Sequence, residues 1–197
     1  MHRARTSFRI ILVVFLVLGV FMTVDERAGL PREGETAPQF TSLLSNGSRF
    51  SLTDYRGQNN VVLVFYPKDF TPGCTKELCE FRDNYDALVR LNAVVVGISY
   101  DSHDSHRKFA EAHNLPFPLI SDPDRSISRA YGTERFLGAI LGSKRVTVVI
   151  DKQGIVRRLA HHEFAVGSHV DEAAEALRMI ENDGSREEGQ GGITPSR

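Results

Sequence analysis

Residues 61–79 read VVLVFYPKDFTPGCTKELC, and this stretch decides the fold. The β-branched run at its start predicts a fully buried strand, which Pro67 ends. A short loop follows, and the apolar positions of residues 75–91 then recur at intervals of three and four, which predicts one face of a helix. The stretch therefore predicts a buried strand joined by a tight loop to a helix that begins around Cys74.

The remainder of the chain repeats these two kinds of element. Apolar runs predict strands over residues 93–98, 119–120, 145–150 and 155–159, and helical periodicity predicts helices over residues 102–113 and 170–180. The turn residues 151–154 lie between two apolar runs, which predicts a hairpin. Strands that alternate with helices and end in a hairpin and a helix predict an α/β domain with a central mixed sheet flanked by helices.

The two ends of the chain differ from this body. Residues 1–9 are a basic n-region, residues 10–24 are nearly all apolar, and residues 25–31 are interpreted as a linker. Residues 181–197 are rich in Gly, Glu and Ser and lack apolar periodicity, which predicts a disordered tail. The body is therefore expected to span residues 32–180.

The apolar segment over residues 10–24 has three interpretations, of which a buried soluble helix is the least favoured because it would have to hide apolar surface on every face. Its length as a helix is about 22 Å, short of a hydrocarbon core of about 30 Å. No small-x-small cleavage signal follows it, which favours an uncleaved transmembrane signal-anchor over a cleaved signal peptide. The arginines that precede it predict a membrane-anchored protein with its domain on the non-cytoplasmic side, and cleavage would give an exported domain instead.

The chain has only two cysteines, Cys74 and Cys79. Four intervening residues do not form a Cys-x-x-Cys site, so the pair is a redox couple, a structural staple or half of a metal site. Three histidines of the predicted 102–113 helix share one face, but a solvated surface is the favoured interpretation: His103, His106 and His113. The residues themselves give no function for His161 and His162. The formal net charge of -1 gives no reason to expect a nucleic-acid partner.

The position of Cys74 favours chemistry at sulfur. The first turn of a helix has unpaired N–H groups and the positive end of the dipole, both of which favour a thiolate. A thiol of ordinary pKa is only about 3% ionised at pH 7. A guanidinium about 4 Å away adds roughly 4 kcal/mol of attraction before desolvation, so an arginine is needed beside the sulfur. Proximity in sequence does not supply one.

The motif around this cysteine resembles a known family. Pro67-x-x-x-Thr71-x-x-Cys74 is similar to the signature of the peroxiredoxins. The longer run Thr71-Pro72-Gly73-Cys74-Thr75-x-Glu77-x-Cys79 resembles the bacterioferritin-comigratory, or peroxiredoxin Q, branch. The likeness covers about residues 32–180 and implies a thioredoxin-like fold for them.

The resemblance implies a thiol-dependent peroxidase that reduces hydrogen peroxide and organic hydroperoxides. Cys74 matches the peroxidatic cysteine, which becomes a sulfenic acid, and Cys79 matches the resolving cysteine, which then forms a disulfide with it. A thioredoxin or a thioredoxin-like protein would reduce that disulfide. No metal or cofactor is implied, and members of this branch are often monomeric. The resemblance does not indicate the preferred peroxide.

The resemblance also implies roles for residues around the sulfur. Thr71 matches the threonine whose hydroxyl contacts the thiolate and the peroxide. Arg145 matches the arginine that supplies the positive charge and stabilises the departing oxygen. Pro67 matches the proline that shields the sulfur from water, and Glu77 is expected to orient Arg145.

Two other functions use the same cysteines. A thiol–disulfide oxidoreductase acting on proteins is expected to use Cys-x-x-Cys, which is absent here. A non-enzymatic redox sensor would bind a partner through its oxidised form. Slow oxidation of the purified protein by hydrogen peroxide would favour either of them over the peroxidase.

The spacing of the cysteines makes a prediction of its own. Residues five apart in a helix have Cα atoms roughly 8.7 Å apart. A disulfide needs a Cα separation of about 4.4 to 6.8 Å. The first turns of the helix are therefore predicted to unwind when Cys74 and Cys79 join.

Overall fold

The fold is seen in a computed structural model that describes residues 29–135, 141–163 and 166–190. The strands are β1 (Thr41–Leu43), β2 (Arg49–Ser51), β3 (Asn60–Phe65), β4 (Ala93–Ser99), β5 (Leu119–Ser121), β6 (Val146–Ile150) and β7 (Val156–His161). The helices are α1 (Pro72–Asp83), α2 (Tyr85–Arg90), α3 (His103–His113), α4 (Ser126–Ala130) and α5 (Val166–Gln190), with a 3₁₀ turn over Leu52–Tyr55.

The main sheet is mixed, as the sequence predicts. Its strand order is β5-β4-β3-β6-β7, with β3, β4 and β5 parallel and with β6 antiparallel to both β3 and β7. Parallel neighbours need crossover connections, and α1 with α2, and then α3, provide them between β3, β4 and β5. The central position of β3 explains its uninterrupted apolar run, because every residue of this strand is buried.

The sheet separates two apolar cores. Side chains alternate along a strand, so Val62 and Val64 face one side while Leu63 and Phe65 face the other. The first side packs against α1, α2, α3 and α5 through buried residues that include Leu78, Leu88, Phe109 and Leu177. The second side packs against the 3₁₀ turn, β2 and α4. This arrangement places helices on both faces of the sheet.

The register between β3 and β6 sets which side chains meet α1. Val62 pairs with Val149 and Val64 pairs with Thr147, so these positions share the face that α1 and α5 cover. Arg145 lies two residues before Thr147 and therefore points to the same face. A segment distant in sequence thus reaches the beginning of α1 through strand pairing.

The helix predicted over residues 75–91 is two helices in the structure. α1 begins earlier, at Pro72, because proline has no N–H to lose at the first helical position. Asn84 separates α1 from α2, with φ of -104° and ψ of 3°. Its side-chain amide donates to the Glu80 carbonyl at 2.9 Å. This local hydrogen bond ends the first helix where apolar periodicity alone predicts that it continues.

The C-terminal half follows the predicted order of elements. Asp151 Oδ1 accepts from the amides of Gln153 and Ile155, and Gly154 takes φ of +82°, so the predicted turn forms between β6 and β7. The last helix continues to Gln190, beyond the expected end at residue 180. Glu, Arg and Gln are good helix formers, which accounts for helix in part of the segment that composition alone assigns to a disordered tail.

The N-terminal segment over residues 10–24 lies outside the described residues. Within residues 29–135, 141–163 and 166–190, no helix has both the length and the apolar character needed to cross a bilayer. The sheet and its helices support the thioredoxin-like domain of the predicted fold class. The described residues do not support the predicted anchor segment.

Candidate active site

The loop between β3 and α1 brings Cys74 to the beginning of the helix. Thr71 precedes α1 in an extended conformation, and Cys74 lies in the first turn with only 1% of its surface exposed. The Thr71 hydroxyl donates to the Lys68 carbonyl at 3.0 Å rather than capping the helix. The first-turn N–H groups are therefore not used by that hydroxyl, which suits a thiolate at this point.

Arg145 supplies the positive charge that sequence proximity could not. Its Nη2 donates to Cys74 Sγ at 3.5 Å, and its Nη1 donates to Glu77 Oε2. Its Nε donates to the Glu163 carbonyl at 3.3 Å, which fixes the plane of the guanidinium. A Cβ at Gly73 would lie 3.3 Å from Nη2, so the glycine lets Arg145 approach the helix closely. The predicted meeting of Cys74, Glu77 and Arg145 is thus formed.

The Glu77–Arg145 pair is buried, which affects both groups. Burial raises the pKa of Glu77 to about 8, and Arg145 opposes that rise while Glu80 and Glu163 add to it. Burial alone would lower the pKa of Arg145, but the charges of Glu77 and Cys74 raise it above its ordinary value. Arg145 is therefore a permanent cation that contacts both the carboxyl group of Glu77 and the sulfur of Cys74.

Sequence reasoning missed His169, a residue of α5 whose side chain lies beside Glu77. The imidazole is fully buried, and its Nδ1 lies 3.8 Å from Glu77 Oε1 and 3.0 Å from the Thr147 hydroxyl. Its Nε2 lies 3.0 Å from the His162 carbonyl, which can only accept, so Nε2 carries a proton. Burial lowers the pKa of His169, which favours the neutral ring. Because β6 and α5 are distant in sequence, no local pattern indicates this contact.

Buried side chains hold the loop before α1 from one side. The Asp69 carboxylate accepts from the Tyr66 hydroxyl and the Ser105 hydroxyl, each at 2.7 Å, and lies 2.9 Å from His106 Nδ1. The Asp69 amide donates to Asp101 Oδ2 at 2.9 Å. The buried carboxylate thereby joins the loop to helix α3, and the Asp69 amide joins it to the segment that follows β4.

The loop is also held at Pro67. The Ser143 hydroxyl donates to the Tyr66 carbonyl at 2.8 Å. Gly142 takes φ of +72°, and a Cβ there would lie 2.0 Å from the Pro67 carbonyl oxygen. Only glycine fits this contact, so the segment before Arg145 is pressed directly against the active-site loop.

Cys79 lies on α1 two residues beyond Glu77 and is partly buried. Both cysteines are free, and both belong to the same continuous helix. The structure is therefore that of the reduced chain, with the two sulfur atoms on an intact helix.

One interpretation of the histidines was wrong, that of His106. His106 was expected on a solvated surface, but it is fully buried because its ring fills the space between Asp69 and the Ile120 carbonyl. His162 Nε2 lies 2.7 Å from Glu172 Oε1, and His161 Nε2 lies 3.4 Å from Glu163 Oε1. In the part of the chain that the structure describes, no group of three or more His, Cys, Asp or Glu side chains is placed to hold a metal ion.

A free cysteine in the first turn of a helix, with an arginine at its sulfur and a thioredoxin-like sheet behind it, defines the class of thiol-dependent peroxidases. The comparisons with known proteins agree with this geometry. Residues 34–159 match the model of the AhpC/TSA family, and the chain belongs to that family.

The similar proteins narrow the family to one branch. The chain is 40% identical over 148 residues to peroxiredoxin Q, chloroplastic, of Sedum lineare, which covers 75% of this chain and 78% of that protein. It is 39% identical over 149 residues to peroxiredoxin Bcp of Bacillus subtilis, and the match covers 74% of this chain and 94% of that protein. The crystal structure of peroxidoxin BcpB from Mycobacterium tuberculosis superposes with a TM-score of 0.71 at 37% identity, and covers 76% of this chain and 97% of that one. The resemblance to the peroxiredoxin Q branch is thus confirmed, and so is thiol-dependent peroxidase activity.

The predicted localisation needs correction. It places the domain outside the cytoplasm, either on a membrane span or exported. No span is found among the described residues, and the matching relatives are a chloroplastic and a bacterial peroxiredoxin whose names indicate no membrane protein. The physical weakness of the prediction was length, because about 22 Å of apolar helix is too short for a bilayer core of about 30 Å.

Proposed function

We propose that Cys74 is the peroxidatic cysteine of this peroxidase and that Cys79 resolves it. The observation that carries the proposal is the contact of Arg145 Nη2 with Cys74 Sγ at 3.5 Å. A guanidinium at this position attracts the thiolate and also the negative charge that develops on the departing oxygen. The same group therefore favours both the nucleophile and the leaving group.

In the first step, the Cys74 thiolate attacks the distal oxygen of a hydroperoxide. A sulfur–oxygen bond forms and the oxygen–oxygen bond breaks, which leaves Cys74 as a sulfenic acid and releases water or an alcohol once the departing oxygen takes a proton. Arg145 stabilises the negative charge that develops on the departing oxygen, and Glu77 keeps the guanidinium of Arg145 oriented. Pro67 limits water beside the sulfur, and the hydroxyl of Thr71, three residues before Cys74, contacts the peroxide.

In the second step, the Cys79 thiolate attacks the sulfenic sulfur, and hydroxide leaves as water. Both cysteines lie on α1, so the disulfide cannot form while the helix between them is intact. The first turns of α1 therefore unwind during each cycle. A dithiol protein of the thioredoxin type then reduces the disulfide and lets the helix re-form.

Stopped-flow oxidation of the reduced chain by hydrogen peroxide tests the assignment. We expect Cys74→Ser to lose at least about a thousandfold of the second-order rate. We expect Cys79→Ser to keep the first oxidation within about threefold of wild type but to accumulate sulfenic acid, because no resolving thiol is present. A wild-type rate no faster than that of a free thiol would support the redox-sensor alternative and contradict this proposal.

Hydrogen exchange tests the unwinding. The amides from Cys74 to Cys79 are expected to exchange faster after oxidation, whereas those of β3 keep their protection because that strand lies at the centre of the sheet. Equal protection of the Cys74–Cys79 segment in both redox states would contradict resolution by Cys79.

A further inference from the structure

The far side of Glu77 carries a feature that peroxide chemistry does not require. Glu77 Oε2 is held by Arg145, but Oε1 is buried and has no hydrogen-bond partner among the described residues. A buried unpaired carboxylate oxygen costs free energy, so this atom is a natural place for a proton. His169 Nδ1 lies 3.8 Å from Oε1.

The hydrogen bonds of His169 leave Nδ1 free to take that proton. Its Nε2 already donates to the His162 carbonyl, whereas the Thr147 hydroxyl at 3.0 Å can donate to Nδ1 or accept from it. With Nδ1 unprotonated, its one ring lone pair accepts from the Thr147 hydroxyl, and Oε1 lies 3.8 Å away without a donor. With one proton, either the carboxyl donates toward the ring or the ring donates toward the carboxylate.

We propose that Glu77 and His169 hold one proton between them, and that loss of this proton lowers the reactivity of Cys74. The negative charge left on the pair offsets the positive charge of Arg145, which itself stays protonated. With the proton, the pair has no net charge, and the full charge of Arg145 acts on the sulfur. Without it, the pair is an anion in direct contact with Arg145. His169 is then a positioning residue that acts through Glu77. The inference rests on the peroxidase function proposed above.

Other charges around the pair act in the same direction. The charged and titratable groups that face Glu77 are Arg145, Glu80, Glu163 and His169. Those that face His169 are His162, Arg145, Glu172 and Glu77. Glu80 and Glu163 both oppose ionisation of Glu77, and burial raises the pKa of this carboxyl to about 8. On this proposal the two groups share the titration, since Glu77 Oε1 and His169 Nδ1 lie 3.8 Å apart.

The rate of oxidation by hydrogen peroxide, measured from pH 5.5 to 9.5 on the reduced full-length chain, tests the inference. We expect the wild-type rate to fall about tenfold above roughly pH 8, against the rise that thiol ionisation alone would give. In Glu77→Gln the alkaline fall is expected to disappear, since no proton can be lost there. In His169→Gln an amide N–H faces Oε1 and favours the carboxylate, so the fall moves to lower pH by about one unit.

The control is His103→Gln, which removes an exposed histidine at the start of α3 and leaves the wild-type profile unchanged. Histidine resonances of the reduced chain give an independent readout: the His169 shift is expected to change through the same pH range, and Glu77→Gln removes that change. A wild-type rate that is fast at pH 7 and does not fall by pH 9.5 would overturn this inference alone. A rate that is slow at every pH would instead overturn the proposed function. If Glu77→Gln does not fold, the displaced midpoint in His169→Gln decides the question.

Discussion

The loop before Cys74 and the helix that contains it are held in different ways. The loop is attached to β4 and α3 through the buried Asp69, which has side-chain partners on both of its carboxylate oxygens. Helix α1 is attached to the sheet through apolar packing and through the contacts of Arg145 with Cys74 and Glu77. The difference indicates where the redox change is accommodated. We expect the loop to keep its place on oxidation and the turns between the cysteines to move.

The largest effect is expected at Arg145, which contacts helix α1, the element that we expect to move. Replacing it by lysine leaves one charge but removes the fork that contacts sulfur and carboxylate together. Arg145→Lys is expected to lower the second-order rate with peroxide by about a hundredfold, as measured by stopped flow. Arg135→Lys is the matched control, because Arg135 pairs with Glu163 without contacting Cys74. A rate within threefold of wild type for Arg145→Lys would contradict the assigned role.

The second-largest effect is expected in the loop before Cys74, which Asp69 holds in place. Asp69→Asn leaves the buried His106 without its carboxylate, and breaking such a pair costs roughly 3 kcal/mol of unfolding free energy. Urea denaturation measures the loss. Asp104→Asn is the control, since Asp104 is an exposed carboxylate on the same helix as His106, and a much smaller loss is expected. Equal losses in the two variants would mean that Asp69 does not anchor the loop.

A third, smaller effect is the pH dependence of stability. The pKa of Glu77 is raised in the folded chain from 4.5 to about 8, so its contribution is full below pH 4.5 and is lost as the pH rises to about 8. His169 acts in the opposite sense: its pKa is lowered from 6.5, so its contribution is full above pH 6.5 and is lost at lower pH. Between pH 6.5 and about 8, Glu77 is the member of this pair whose titration changes the unfolding free energy.

The unfolding free energy is therefore expected to fall by at most about 2 kcal/mol between pH 6.5 and 8. Urea titrations at several pH values measure it. Glu77→Gln is expected to reduce this slope, whereas Glu80→Gln, which replaces a more exposed carboxylate of the same helix, leaves most of it. An unchanged slope in Glu77→Gln would place the titration elsewhere.

The smallest effect is expected on the outer face of α1. Lys76 is exposed, and its Nζ lies 3.9 Å from Glu80 Oε1 in an i,i+4 pair. Lys76→Gln is expected to change the unfolding free energy by less than about 0.5 kcal/mol and to leave the peroxide rate unchanged. A tenfold change in rate would show that the outer face of the helix, and not only its buried face, controls Cys74.

The sequence predicted the parts of the site that depend on local order. The apolar run before Pro67 indicated a fully buried strand, and the motif from Thr71 to Cys79 indicated a helix beginning with a reactive cysteine. The partnership of Arg145 with Cys74 came from the family resemblance rather than from any pattern, because strand pairing joins residues that are far apart along the chain.

What the sequence did not predict depends on tertiary packing. Periodicity placed His106 on a helix, but not facing inward, since the polar spacing of α3 resembles that of any surface helix. His169 was not singled out, because its partners Thr147 and Glu77 lie on two other elements. The break at Asn84 also went unpredicted, because apolar residues continue in phase on either side of it.

The pairing of β6 with β3 has a consequence for protein engineering. Phe65 lies opposite Val146, and this alignment is what directs the preceding arginine toward α1. A shift of one residue would turn that side chain to the opposite face of the sheet. Transplanting this peroxidase site onto another scaffold thus requires an antiparallel neighbour aligned in the same way, in addition to the short motif that surrounds the cysteine.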